Sequence, residues 1–250
     1  MKRPNTKDDW HKRTVFLDQV DSTNTYALEL VRRSRPEHGT VVFTEYQTSG
    51  RGQRGRTWEA NKGQNALFSV IYYPTGLAPA DHFKLNKIVS VSLFEAISEL
   101  VSADFLSIKW PNDLYFDDRK VAGMLIQNVI RGKEIDHTVI GLGINVNQER
   151  FPGHLVKATS LSIITGMKKV PLEVTRKIVD HLDEEMNNFD QARIDDVYSA
   201  NLYLKGKKHT FRSGGLTFTG EIRGVDDEGR LIIDKEGKLE KFAFGDIEYS

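Results

Sequence analysis

Apolar and polar positions divide the chain into a leading mix of strands and helices, a run of strands, two helices, and a tail of short strands. Val15 to Leu17 is a brief apolar run that predicts a strand. Asp21-Ser22-Thr23-Asn24-Thr25 is rich in N-cap residues and precedes Tyr26, Ala27, Leu28, Leu30 and Val31. A helix is therefore predicted to start near Asn24 and to end before Pro36. Thr40 to Tyr46 is β-branched and aromatic, and Asn65 to Tyr73 is its predicted hairpin partner. Beyond the breakers Pro74, Gly76 and Pro79, a core-facing helix is predicted from Asp81, where Leu85, Ile88, Val89, Leu93, Ala96, Ile97 and Leu100 recur at helical spacing.

Phe105 to Trp110 predicts the next strand, and Pro111 stops regular pairing there, which leaves Asn112 and Asp113 on a turn. Asp117-Asp118-Arg119 turns again, Lys120 to Gln127 makes a return strand, and Thr138 to Val146 follows the Arg131-Gly132 turn. Three strands joined by tight turns predict an antiparallel meander and not βαβ crossovers. Pro171 to Phe189 is predicted helical, with a stripe of Leu172, Ile178, Val179, Leu182 and Met186, and a second helix is predicted from Asp195 to Leu204. From Lys205 the runs shorten to His209–Phe211, Thr217–Ile222, Arg230–Ile233 and Glu240–Phe244, separated by Gly-containing turns. The expected division is a main unit over 1–204 and a small β unit over 205–250, whose roughly 45 residues hold too little core to stand alone.

Composition narrows the function. Thirty-nine per cent of the 250 residues are hydrophobic, enough for a packed core. Thirty-five basic and 35 acidic residues cancel, which removes any global electrostatic case for a nucleic-acid binder. The absence of cysteine excludes disulfides, thiolate metal sites and cysteine nucleophiles. No apolar run reaches the ~18 residues of a membrane span, and Met1 to Lys12 is polar, so a cytoplasmic location and no membrane association are expected.

The densest chemistry lies in Glu45 to Trp58, where Gly50, Gly52 and Gly55 alternate with Arg51, Arg54 and Arg56. Glycines let backbone approach a ligand, and arginine forks suit phosphate and carboxylate oxygens. The pattern predicts a mobile loop whose arginines lack partners until an anion arrives; an exposed basic turn is the plainer alternative. Gly50-x-Gly52-x-x-Gly55 is not a dinucleotide fingerprint, because a strand follows instead of a helix, and no Gly-Lys-Ser/Thr marks a phosphate-binding P-loop. No Ser/His/Asp triad and no transition-metal spacing is evident among the seven histidines. Arginines, a lysine and one carboxylate without a nucleophile suit group transfer at phosphorus.

Five stretches together resemble the biotin protein ligases. They are Asp21-Ser22-Thr23-Asn24, the Glu45 to Trp58 loop, Lys109-Trp110-Pro111-Asn112-Asp113, Lys120-Val121-Ala122-Gly123 and Gly141-Leu142-Gly143-Ile144-Asn145. The resemblance implies an α+β fold: a mixed, mainly antiparallel sheet flanked by helices, like class II aminoacyl-tRNA synthetases, then a small C-terminal SH3-like β-barrel. It implies a two-step reaction in which biotin and ATP give biotinyl-5′-AMP, and biotin then passes to a lysine of a biotin carboxyl carrier protein. Carried over to this chain, Ser22, Thr23, Asn24, Gln47, Arg51, Gly52, Gln53, Lys120 and Gly123 would bind biotin. Arg51, Arg54, Arg56, Trp58, Asn112, Lys120 and Asn145 would bind ATP and the adenylate. Lys120 would bridge carboxylate and phosphate, Arg51 would assist, and Asp113 would serve Mg²⁺ and orient the incoming lysine.

Two features depart from the family pattern. Only about twenty residues precede Asp21, too few for the winged helix-turn-helix of repressor members, so specific DNA binding is not expected. Gln53 stands where the family often has a second arginine. Lipoate–protein ligase is the nearest rival, octanoyl transfer lacks its cysteine, and a non-catalytic biotin or adenylate sensor would not need both Lys120 and Asp113. Exposed strands at a sheet edge offer a route to a homodimer.

Overall fold

Strand β1 (Thr14–Leu17) leads into helix α1 (Thr23–Ser34) and then strand β2 (Thr40–Thr44), in a computed structural model that describes residues 10–250. The expectation for Met1 to Lys12 falls largely outside the described residues. β1 pairs parallel with β2, and β2 pairs antiparallel with β3 (Ala66–Tyr72). Every residue of β2 and β3 is buried, as befits central strands covered on both faces. Alternation sorts their side chains. Val42 and Ile71 join Ala27 and Val31 of α1 on one face, while Val41, Phe43, Phe68 and Val70 face the larger core on the other.

Helix α2 (His82–Ser98) lies on that larger core. The next four strands are β4 (Leu106–Lys109), β5 (Asp113–Phe116), β6 (Arg119–Arg131) and β7 (Glu134–Ile144), which complete a seven-stranded sheet in the order β1-β2-β3-β7-β6-β5-β4. The meander therefore has one strand more than its pattern suggested. Asp113 opens β5, paired with Lys109 and Gly123, and does not sit on a turn. The reversal is confined to Trp110-Pro111-Asn112, across a cis Trp110–Pro111 bond, so Leu114 and Tyr115 are free to bury themselves between β4 and β6.

Helix α3 (Leu161–Thr165), which the pattern did not suggest, is capped by the Ser160 hydroxyl accepting from Ile163 N and closed by Gly166 at φ 70°. Helices α4 (Pro171–Asn187) and α5 (Gln191–Ala200) complete the layer with α2. α5 begins four residues before the predicted Asp195, because the Asp190 carboxylate accepts from Arg193 N and fixes the start.

A separate antiparallel sheet follows, formed by β8 (Lys208–Ser213), β9 (Leu216–Val225), β10 (Leu231–Lys235), β11 (Lys238–Phe242) and β12 (Glu248–Tyr249) in the order β11-β10-β9-β8-β12. Phe211, Ile222, Leu231 and Ile233 are fully buried in it. Trp110 Nε1 donates to Gly229 O at 2.9 Å and ties this sheet to the β4–β5 reversal. The pairing of β12 with β8 brings the end of the chain back beside β5.

Candidate active site

A cavity of about 750 Å³ opens over the middle of the large sheet, between the start of α1, the Gly50–Trp58 loop, the β4–β5 reversal and the last residues of the chain. Part of its floor is made by strand positions that carry no side chain. Gly123 and Gly143 are cross-strand partners on β6 and β7. A Cβ on Gly143 would stand 2.4 Å from Trp58 Cε2, and one on Gly141 would stand 2.0 Å from Asn24 Oδ1. The glycines thus let an indole and a carboxamide lie directly on the sheet.

Polar side chains crowd the α1 end. Ser22, Thr23 and Asn24 are all buried, and Ser22 occupies the N-cap position without using its hydroxyl on the helix. Gln47 Oε1 accepts from Thr23 N at 2.8 Å, which leaves its amide N–H groups to donate elsewhere. Asn24 Nδ2 donates to Leu125 O at 3.1 Å and Gln127 Oε1 at 2.9 Å, while its Oδ1 accepts from Ser69 Oγ at 2.6 Å. Asn24 is thereby locked, and it fixes the geometry of its neighbours.

The loop is folded over the cavity. Gly52 N donates to Arg56 O at 2.7 Å and Trp58 N to Gly50 O at 2.9 Å, so the glycine–arginine run closes on itself. Arg54, at φ 53°, donates to Phe244 O, and its guanidinium lies 4.7 Å over the Phe244 ring. The expectation that the loop arginines lack partners is thus corrected for Arg54, which the C-terminal sheet engages by backbone carbonyl and ring. Gln53 Oε1 and Trp58 Nε1 are buried without hydrogen-bond partners. Such atoms cost about 1–3 kcal/mol each, and both line the cavity.

At the other end Lys120 Nζ lies 2.6 Å from Asp113 Oδ1, an ion pair not aligned as a hydrogen bond, and 5.3 Å over the Trp58 ring. Asn112 Nδ2 donates to Met124 O at 2.9 Å and Asn145 Nδ2 to Thr159 O at 2.9 Å. Both amides hold the cavity wall with these donors. Every residue singled out from the sequence, from Ser22 to Asn145, lines this one cavity.

Sequence reasoning gave no role to Lys109, although it opens the Lys-Trp-Pro-Asn-Asp run. Its Nζ donates to Tyr115 Oη at 2.9 Å. Burial pushes its pKa down to about 8, with the cations Lys157, Lys120 and Arg56 acting in the same direction and Asp113 against it. Burial likewise raises the Tyr115 and Tyr249 phenols well above their usual range. The C-terminal contribution, Phe244 to Tyr249, had no signal in the local pattern. Among the described residues no cluster of three His, Cys, Asp or Glu side chains forms a metal site, and no helix is long and apolar enough to cross a membrane.

Residues 16–145 match the biotin/lipoate A/B protein ligase family, and residues 210–249 match the biotin protein ligase C terminal domain. The chain belongs to the biotin/lipoate A/B protein ligase family. Within it the enzyme is of the biotin protein ligase type. It is 30% identical over 247 residues to the bifunctional ligase/repressor BirA of Bacillus spizizenii, covering 94% of this chain and 73% of that protein. It is 28% identical to the biotin–[acetyl-CoA-carboxylase] ligase of Paracoccus denitrificans, over 87% of this chain and 92% of the relative. The biotin protein ligase from Aquifex aeolicus in complex with biotin and ATP superposes with a TM-score of 0.77 at 27% identity, covering 95% of this chain and 99% of that one.

Proposed function

We propose that this ligase, with a catalytic unit over 1–204 and an accessory unit over 205–250, activates biotin with ATP and passes it to a lysine of a biotin carboxyl carrier protein. The observation that carries this is the shape of one cavity: a buried amide and hydroxyl cluster at one end, a lysine–carboxylate pair at the other, and a basic loop across both. A ureido ring presents one carbonyl and two N–H groups, which match Ser22, Thr23, Asn24 and Gln47. A dithiolane presents none and would leave the Ser22 hydroxyl and the Gln47 amide N–H groups, which bond nothing within the described residues, without a partner, so lipoate is rejected on the same chemistry.

In the first step a biotin carboxylate oxygen bonds to the α-phosphorus of ATP. The bond from that phosphorus to the β-bridging oxygen breaks, and its electron pair leaves with pyrophosphate. Lys120 and Arg51, which both line the cavity, neutralise charge that grows in flight between carboxylate and α-phosphate. The loop excludes water from the anhydride. In the second step the neutral amine of the carrier lysine attacks the biotinyl carbonyl, and the carbon–oxygen bond to AMP breaks, its electron pair leaving with AMP. Asp113, which accepts a hydrogen bond from the incoming nitrogen, takes up the proton that nitrogen loses and passes it to solvent.

Mg²⁺ commonly takes one or two protein carboxylates plus substrate phosphates. Asp113, whose Oδ1 makes an ion pair but no aligned hydrogen bond, fits that sparse protein share. The ion, entering with ATP, would neutralise triphosphate charge. Incubation with ATP, labelled biotin and a carrier domain tests the proposal. Label on the carrier lysine is expected; transfer of labelled lipoate instead, or no transfer, overturns it.

A further inference from the structure

One corner of the cavity carries more positive charge than its own carboxylates balance. The carboxylates that line the cavity are already engaged: Asp113 with Lys120, Glu59 with His154, and Glu248 with Arg212. Lys109, Arg56 and Lys157 line the same cavity, and among the described residues none of them makes a direct ion pair. The carboxylates that act on Lys109 and Arg56 from further off, Asp113 and Glu248, are the ones already bonded to Lys120 and Arg212. Unpaired cations on a partly enclosed wall favour an anion, and several together favour a polyanion.

Lys109 is the fixed member of the group. Its Nζ sits 4.4 Å from the Tyr115 ring centroid, 4.6 Å from that of Tyr249 and 5.8 Å from that of Tyr203. The Tyr115 and Tyr203 rings are 5.2 Å apart and those of Tyr203 and Tyr249 6.2 Å apart, so three rings wall the amine and leave its remaining side to the cavity. Cation–π contact and the 2.9 Å bond to Tyr115 Oη aim the ammonium without neutralising it. Tyr115 comes from β5, Tyr203 from the segment after α5, and Tyr249 from β12. A lysine serving only to pack would need neither a cavity face nor two unpaired cations beside it.

We propose that this corner receives the pyrophosphate released in the first step, with Lys109 as its fixed ligand, Arg56 and Lys157 as flanking ligands, and Tyr249 as the means by which the C-terminal segment takes part. The inference rests on the two-step reading above. As the bond between the α-phosphorus and the bridging oxygen breaks, the electron pair stays on that oxygen, and these cations would neutralise the new charge. No proton from the protein is required. Once pyrophosphate has left, the corner has no part in attack by the carrier lysine.

The test uses the full chain and compares wild type with Lys109→Met, Lys109→Arg and Tyr115→Phe. Three quantities are measured: biotin-dependent exchange of labelled pyrophosphate into ATP, calorimetric binding of pyrophosphate alone, and transfer from separately prepared biotinyl-AMP to a carrier domain. Lys109→Met is expected to weaken pyrophosphate binding, and raise its KM in exchange, by about 10- to 100-fold, the loss typical of a charged hydrogen-bond partner. Transfer from preformed biotinyl-AMP should stay within about twofold, which also reports that the variant is folded. Lys109→Arg keeps the charge and should regain most of the loss. Tyr115→Phe keeps the ring, removes only the hydroxyl that aims the amine, and should weaken pyrophosphate by about three- to tenfold; it decides the matter if Lys109→Met does not fold. Unchanged pyrophosphate binding and KM in these variants, with wild-type exchange intact, overturns this inference alone. A wild type with no biotin-dependent exchange overturns the two-step reading and the inference with it.

Discussion

Replacing Gly141 by alanine puts a methyl group where Asn24 lies. The backbone of Gly141 is in an ordinary extended conformation, so the whole effect is steric: the new Cβ would sit 2.0 Å from Asn24 Oδ1 and 2.7 Å from Asn24 Cγ. Asn24 cannot shift freely, since bonds of 3.1, 2.9 and 2.6 Å to Leu125 O, Gln127 Oε1 and Ser69 Oγ hold it. At about 1 kcal/mol for each bond, or about 1–3 kcal/mol if β7 moves instead, the variant should lose roughly 2–3 kcal/mol in total. The short side chain yields more readily than a strand paired on both sides, so most of the loss should appear in biotin binding, as a 10- to 100-fold rise in Kd, roughly the same energy. Calorimetric biotin titration and urea unfolding measure the two shares. Gly224→Ala is the control, because no atom stands within 4 Å of its added methyl. In an Asn24→Ala background the added methyl meets no carboxamide, and Gly141→Ala should cost almost nothing further. Wild-type affinity and stability in Gly141→Ala, or an equal cost in both backgrounds, would refute the reasoning.

Lys120→Ala should slow single-turnover formation of biotinyl-AMP by ~10²–10³ while changing ATP binding far less; an unchanged rate would leave Lys120 as a strand residue only. Gln53→Arg supplies a charge where a buried, unpartnered amide oxygen now lies, and should slow dissociation of preformed biotinyl-AMP; equal rates would mean that position 53 does not hold the intermediate. Asp226 should contribute to acid stability. Partial burial opposes its charge, but bonds from the Arg230 backbone and side chain and from Lys241 outweigh that and hold its pKa at about 2. Its folded pKa thus lies below the unfolded value of ~3.9, so its contribution is complete above about pH 4 and is lost as pH falls toward 2. Asp226→Asn should flatten that stretch of the unfolding-versus-pH curve, and superimposable acid limbs for variant and wild type would contradict the assignment.

Helices α1, α2 and α4 and the β2–β3 hairpin were legible because each buries one regular stripe, or a continuous apolar run, that local spacing records. β5 was not, because its four residues lie between Pro111 and the acidic Asp117-Asp118 turn, and only the sheet context makes them a strand. α5 was displaced because its start depends on the Asp190 cap and not on apolar spacing. The cavity followed from motifs that each carry a chemical oddity, such as alternating Gly and Arg, or Asn-Asp after Pro. Lys109 escaped notice because its partners, Tyr203 and Tyr249, are distant in sequence and have no pattern of their own. The Arg54–Phe244 contact was hidden for the same reason: tertiary packing decides it.

Pyrophosphate release from ATP, measured with biotin, with lipoate and with neither acid, tests the central claim most directly. The amide and hydroxyl groups at Ser22, Thr23, Asn24 and Gln47, which line one end of the cavity, predict release that depends on biotin and stays at background with lipoate. Release driven by lipoate, or none with either acid, would contradict the assignment of this cavity to biotin activation.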